Sequence, residues 1–383
     1  MDHHEEREQR VTPLELFFDL VFVFAITQVT GFLSAEPTWD GLGQGLLVLG
    51  AVWWAWAAFA WLTNTLDAEE GRVRLTMLAA MASMLLVALA VPQAFGDDAL
   101  LFGVAYAIVR VLHITLYALG SRADRDVLRA VLRMTPTSLV GPAVIVVAAF
   151  TDGALQVALW LAALTLDYVG VVVGGGRGWR VSPHHFAERH GLIVIIALGE
   201  TVVALGVGAT AEAITAGVIA AAVLGIVVIS ALWWAYFDVV AIVAERKLAE
   251  AQGAARAVLA RDSYSFLHLP MIAGIVLFAL GLKKTLTGWD EPLKDVPALG
   301  LCGGIALYLL AHVAFRLRNV RTFNRHRAVA ALVLLALVPV ATEVDALVAL
   351  TAVTAVCAGL IAYEAIRFRE ARARVRAAQS AAA

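Results

Sequence analysis

The chain has 383 residues, of which 61% are hydrophobic and only 16% charged, and its formal net charge at neutral pH is −2. Soluble domains carry about 25% charged residues, so this composition, with a mean hydropathy of +0.82, excludes a water-soluble fold, and the near-neutral charge removes nucleic acid as a partner. The only two cysteines, Cys302 and Cys357, lie inside apolar stretches, which excludes a disulfide framework or a thiolate metal site and leaves both as small core residues.

The N-terminal segment MDHHEEREQR is mixed in charge and meets the first apolar run at Leu14. It lacks the basic start and short apolar core of a cleaved signal peptide, so the first span is expected to stay in the mature protein. Runs of about 20 apolar residues suffice to cross the hydrocarbon core as helices. They fall near 14–34, 42–66, 74–94, 99–120, 134–151, 154–174, 187–207, 214–242, 263–283, 298–315, 326–342 and 345–365. The predicted fold is therefore an all-α transmembrane bundle of twelve spans. Its shortest connectors, such as Gly96-Asp97-Asp98 and Thr151-Asp152-Gly153, carry turn residues and acidic caps suited to tight returns between helices.

Short loops rich in Lys and Arg stay cytoplasmic. Of the 29 such residues, 25 lie in the N-terminus, in the loops after the even-numbered spans and in the C-terminus, against three in the alternate connections: Lys283, Lys284 and Lys294. This asymmetry predicts an inner-membrane protein with both termini in the cytoplasm. The basic tail from Arg367 reads as a solvated helix end touching anionic lipid.

Span 1 reads ELFFDLVFVFAITQVT from Glu15 and span 7 reads ERHGLIVIIALGETVV from Glu188, with Thr27-Gln28 falling opposite Glu200-Thr201. Each is followed by a span with a Trp pair, Trp53-Trp54 and Trp233-Trp234. The pattern predicts a tandem repeat of two six-helix units, 1–175 and 176–383, in one orientation. The depth of Trp233 and Trp234 points to core packing.

Charged side chains at mid-bilayer cost roughly 2.5–3.5 kcal/mol each, so they face the bundle or a cavity. Glu200 lies near the midplane of span 7, and Arg110 of span 4 at a similar depth puts the two within reach of pairing. Asp167 in span 6 is a candidate proton acceptor, with His113 one turn beyond Arg110. Glu15 and Asp19, four apart, share one face of span 1. They either pair with arginines such as Arg72, Arg74 or Arg189 or form the cytoplasmic mouth of an ion path. Glu188, Arg189 and His190 make the matching polar start of span 7. In span 9 the polar run from Asp262 to His268 meets Pro270, which should kink the helix and free a backbone carbonyl. His312 and Asp238 read as structural.

No Walker A, G-x-G-x-x-G or HExxH sequence occurs, so an ATP-driven pump or zincin protease has no support, and none of the four lysines lies mid-span for a Schiff base. These residues imply no cofactor and no metal. Two blocks, VTPLELFFDLVFVFAITQ at 11–28 and HFAERHGLIVIIALGETVVALG at 185–206, are similar to the bacterial low temperature requirement protein A family. The resemblance implies a multi-pass bacterial membrane protein linked to growth in the cold.

The leading expectation is a transporter or channel for a small ion or solute, proton-coupled, with Glu200, Asp167, Arg110, Glu15, Asp19, Gln28, Glu188 and His268 as candidate residues. Its partners are membrane lipids, the small ion or solute, and further copies of the chain. The alternatives are a membrane enzyme on a lipid-type substrate, with Glu188, His190 and His184-His185 as acid-base groups, or a non-catalytic stress-adaptation factor.

Overall fold

The computed structural model describes residues 10–210 and 214–380; segments 1–9, 211–213 and 381–383 lie outside the described residues. Among the described residues twelve helices are long and apolar enough to span a bilayer, the number expected: α1 Pro13–Ala35, α2 Trp39–Thr63, α3 Gly71–Gln93, α4 Ala99–Gly120, α5 Arg125–Ala148, α6 Gly153–Gly174, α7 Pro183–Thr210, α8 Ala216–Glu250, α9 Gly253–Thr287, α10 Asp295–Val320, α11 Arg325–Thr342 and α12 Ala346–Arg367. A short basic helix, α13 Arg369–Ser380, follows. The starts carry caps that satisfy otherwise orphaned backbone N–H groups. Thr12 and Glu15 form a reciprocal capping box ahead of Pro13, and Thr38, Asp124, Thr215 and Asn324 cap α2, α5, α8 and α11.

Burial sorts the helices into an inner and an outer set. In α2, α9 and α10, 78% of the most apolar stretch is enclosed by protein, against 17% in α6. The inner helices are thus shielded from lipid, while α6 presents most of its apolar surface outward. Trp233 and Trp234 depart from the expected core packing: they are 45% and 39% exposed, because α8 turns that face away from its neighbours.

The contact between α9 and α10 rests on glycines. A Cβ on Gly274 would come within 2.5 Å of the Gly304 carbonyl oxygen, and one on Gly281 within 2.3 Å of the Leu301 nitrogen. Hydrophobic burial does little to drive helices together in lipid, so such close backbone approach is a main source of attraction. Both helices also carry π-helical turns, Ala260–Phe266 and Leu299–Gly303. In α9 the turn ends four residues before Pro270, whose missing N–H is the sequence-level cause expected of a distortion there. The loosened carbonyls are used: Ser265 O accepts from Trp53 Nε1 at 2.7 Å, and Ser263 O from His268 Nδ1 at 3.1 Å.

The α6–α7 loop is pinned to the start of α5. Arg180 Nε donates to Asp124 at 2.6 Å, Arg133 Nη2 donates to Arg177 O at 2.5 Å, and Gly178, at φ +88°, sits where a Cβ would meet Asp126 O at 2.4 Å. The Arg180 guanidinium, with the Val127 and Asp126 amides, holds the Asp124 carboxyl below the usual carboxylate range. This tie is complete at neutral pH and weakens as pH falls through the folded pKa. At the far end of the chain α8 breaks after Phe237, and Asp238 at the break pairs with Arg372 and Arg376 of α13.

A bulky residue in the α9–α10 seam should separate the two helices. Gly304→Leu is expected to lower stability by about 1–3 kcal/mol in detergent unfolding. Gly31→Ala, where a Cβ meets nothing within 4 Å, should be neutral or slightly stabilising.

Candidate functional site

Where α1, α2 and α7 meet, one guanidinium is shared by two carboxylates. Arg189 Nη1 lies 2.7 Å from Glu15 Oε1 and its Nη2 2.7 Å from Asp19 Oδ1, and all three side chains are fully buried. Nη1 also donates to Thr63 Oγ1 at 3.2 Å. Glu15 is doubly engaged, because its Oε2 accepts from Thr12 N at 2.9 Å in the capping box of α1. The candidate mouth residues are thus sealed from solvent and held by Arg189, one of the arginines the sequence offered for them.

His185 completes the cluster, and its protonation follows from its neighbours. The backbone N–H of Ser182 donates to Asn64 Oδ1 at 2.8 Å, which fixes the amide orientation. Asn64 Nδ2 must then donate to His185 Nδ1, at 3.0 Å. That nitrogen carries no proton, so Nε2–H donates to Glu15 at 3.0 Å and the ring is neutral. With both carboxylates ionised the set carries one net negative charge. Asp19 Oδ1 accepts from Arg189 and from Trp56 Nε1 at 2.9 Å, whereas its Oδ2 has no hydrogen-bond partner among the described residues. A proton on Oδ2 makes the cluster neutral.

Beside it runs a row of imidazoles and phenols across α7, α9, α8 and α10. Trp56, which binds Asp19, meets the His190 ring edge-on at 4.9 Å between centroids, and His190 lies 5.2 Å from His268. Tyr236 reaches His268 Nε2 at 2.8 Å and faces His312 at 5.9 Å. Each histidine spends Nδ1–H on a carbonyl of its own helix: Phe186 at 2.8 Å, Ser263 at 3.1 Å and Tyr308 at 2.9 Å. The Nε2 lone pairs therefore all face the interior. That of His268 accepts from Tyr236, and those of His190 and His312 have no partner among the described residues.

The other candidates are distributed differently from expectation. Arg110 pairs with Asp167, Nη2 to Oδ1 at 3.2 Å, and not with Glu200; the two face different neighbours. Glu200 instead accepts from Thr27 Oγ1 of α1 at 2.5 Å. Gln28 is half-buried beside that threonine. Glu188 accepts from the Val11 backbone at 3.2 Å, holding the chain ahead of α1. His184 lies 2.8 Å from Glu245 rather than beside His185's partners. No group of three metal-ligating side chains gathers among the described residues. Sequence reasoning missed Asn64, Trp56, Tyr236 and the roles of His185 and His312. The readable signal was the concentration of His, Trp and Tyr in otherwise aliphatic spans.

Residues 10–362 match the family model described as bacterial low temperature requirement A protein. The chain belongs to this family. It is also similar to a protein of Rhizobium meliloti strain 1021, the uncharacterised protein RA0937, at 30% identity over 310 residues that cover 77% of this chain and 74% of the relative. No solved structure matches. In this family member both blocks that carried the resemblance converge in space: the first supplies Glu15 and Asp19, and the second supplies His185, Arg189 and His190.

Removing one partner of a buried ion pair strands the other charge, so Arg189→Met is expected to cost roughly 3–5 kcal/mol, read as detergent unfolding. Adding Glu15→Gln and Asp19→Asn to that variant should restore part of the loss. Full additivity of the three changes would show that the groups do not interact.

Proposed function

We propose that this protein is a proton-coupled carrier of a small solute or ion in the bacterial inner membrane, with both termini in the cytoplasm. The observation that carries the reading is the histidine row. Imidazole is the side chain whose ordinary pKa allows proton exchange near neutral pH, and of the three here His268 meets Tyr236 through Nε2 while His190 and His312 keep bare Nε2 atoms among the described residues. Asp19 Oδ2 offers a carboxylate proton site at one end. At the other, His312 lines a cavity of about 290 Å³ together with Asp238, Arg327 and Glu364. The excess of Lys and Arg in alternate loops supports the orientation and puts this cavity at the cytoplasmic face.

The second proton site in this reading is Glu200. It lies ten residues beyond His190 on α7, about 15 Å further along at 1.5 Å per residue. An apolar layer separates the two levels: Phe22, Ile26, Ile193 and Ile272 surround a small void between α1, α2, α7 and α9. A polar group on either side of an apolar barrier suits a carrier that exposes its sites alternately. The two six-helix units of the sequence belong to the same reading, since their first helices, α1 and α7, meet at the Arg189 cluster.

The test is proton movement in liposomes containing the purified protein and an internal pH dye, challenged in turn with organic acids, amino acids and inorganic ions. Wild-type protein is expected to move protons with at least one class, and His268→Gln and Glu200→Gln to slow this by roughly a hundredfold or more. No proton movement with any class would remove the carrier reading.

A further inference from the structure

A second cavity, of about 50 Å³, opens between α2, α4, α5, α6 and α9. None of its lining residues belongs to the histidine row. Its walls are apolar and aromatic, with Trp54, Trp61 and Trp179 among them, and the charged groups that line it, Arg110 and Arg261, are both cationic. Arg110 is 2% exposed. Only its Nη2 is engaged, by Asp167, while Nε and Nη1 are buried with no acceptor among the described residues. The neighbouring His113 is buried in the same wall, against the Ala58 backbone.

The cavity has a direction. Arg110, His113 and Tyr117 follow one another along one face of α4 towards its end at Gly120, ten residues from Arg110 and about 15 Å away. Gly175, Gly176 and Trp179 of the pinned α6–α7 loop lie at that end with Arg261. The cavity therefore runs from the α6–α7 loop, past Arg261 with its partner Asp262, to a buried guanidinium. A guanidinium presents five donors in a planar fork that matches a carboxylate, and a buried one that uses a single donor is costly.

We propose that this cavity is a binding site for an organic monocarboxylate with an apolar body, its carboxylate on Arg110 and its body between the tryptophans. Asp167 competes with that carboxylate for the same guanidinium, so the pair also sets the affinity. A purely structural Arg110–Asp167 bridge makes no such statement about ligands.

Binding of radiolabelled octanoate to the purified full-length protein, by scintillation proximity, tests this without reference to transport. Saturable binding is expected, competed by benzoate and not by octanol or chloride. Arg110→Gln should weaken it at least about tenfold. Ala58→Leu, which keeps the guanidinium and fills the cavity, should do the same. Asp167→Asn, which frees the guanidinium, should tighten it. Absence of saturable binding, equal competition by octanol, or unchanged affinity in both Ala58→Leu and Asp167→Asn would overturn the proposal. Should Arg110→Gln fail to fold, the other two variants carry the test. Because the readout is equilibrium binding, a failure of proton movement leaves it untouched, and a failure of binding leaves the carrier reading standing.

Discussion

A guanidinium two turns inside a membrane helix has to be neutralised, and that requirement organises the rest of this bundle. Arg189 enters the protein on α7, and the carboxylates that meet it come from α1, 170 and 174 residues earlier in the chain. Buried ion pairs of this kind add little net stability over an apolar packing. Their effect is on specificity, because any other register of α1 against α7 would leave charges unmatched in a low-dielectric interior. Thr63, Asn64 and Trp56 of α2 add hydrogen bonds to Arg189, His185 and Asp19. Three helices are thereby fixed against one another at a single depth, and the indole that binds Asp19 is the wall against which His190 packs.

The histidine row depends on a second departure from regular helix. In a straight α-helix the carbonyls of Ser263 and Ser265 would be committed to the ladder. The π-turn ahead of Pro270 redirects them to His268 and Trp53, so one backbone irregularity sets the tautomer of His268 and ties α9 to α2. Irregular backbone at membrane depth persists only where protein satisfies it. The glycine seam provides that enclosure by drawing α10 onto α9. Stability and the polar geometry are therefore coupled: a helix pair that packed less closely would open the π-turn to lipid.

Much of this was legible in the sequence, and the pattern of what was not is instructive. The twelve spans and the family follow from apolar run length and from two conserved-looking blocks of residues at 11–28 and 185–206. Depth along a helix was also readable, since 1.5 Å per residue is a ruler. Azimuth was not. Arg110 and Glu200 lie at similar places along their spans by residue count, yet which neighbour each one faces depends on helix rotation and order, and Arg110 turned to Asp167. Arg189 was counted among loop cations because the apolar run of span 7 starts near 187, whereas the helix starts at Pro183. Trp233 and Trp234 matched Trp53 and Trp54 as letters, but α2 is an inner helix and α8 turns its pair outward, so like motifs took unlike environments. The hydrogen-bonding role of His185 depends on Asn64 and Ser182, which no local pattern brings to it.

The arrangement along the helices bears on how the two polar levels relate. Odd-numbered spans run in one direction, so positions one turn beyond Asp19, His190 and His268 lie on the same side of them. Those positions are Phe22, Ile193 and Ile272, all in the apolar layer. Ile26 and Thr27 continue on α1, and Thr27 is the partner of Glu200. The interior thus alternates polar, apolar and polar along three parallel helices, with the polar layers built from groups that hold protons and the apolar layer lacking any. Phe22, Ile26, Ile193 and Ile272 offer no donor or acceptor, and the two indoles beside them, Trp53 and Trp56, already donate to Ser265 O and to Asp19. The glycine seam reaches this layer at Gly274, two residues beyond Ile272, whereas the π-turn of α9 lies on the other side of His268.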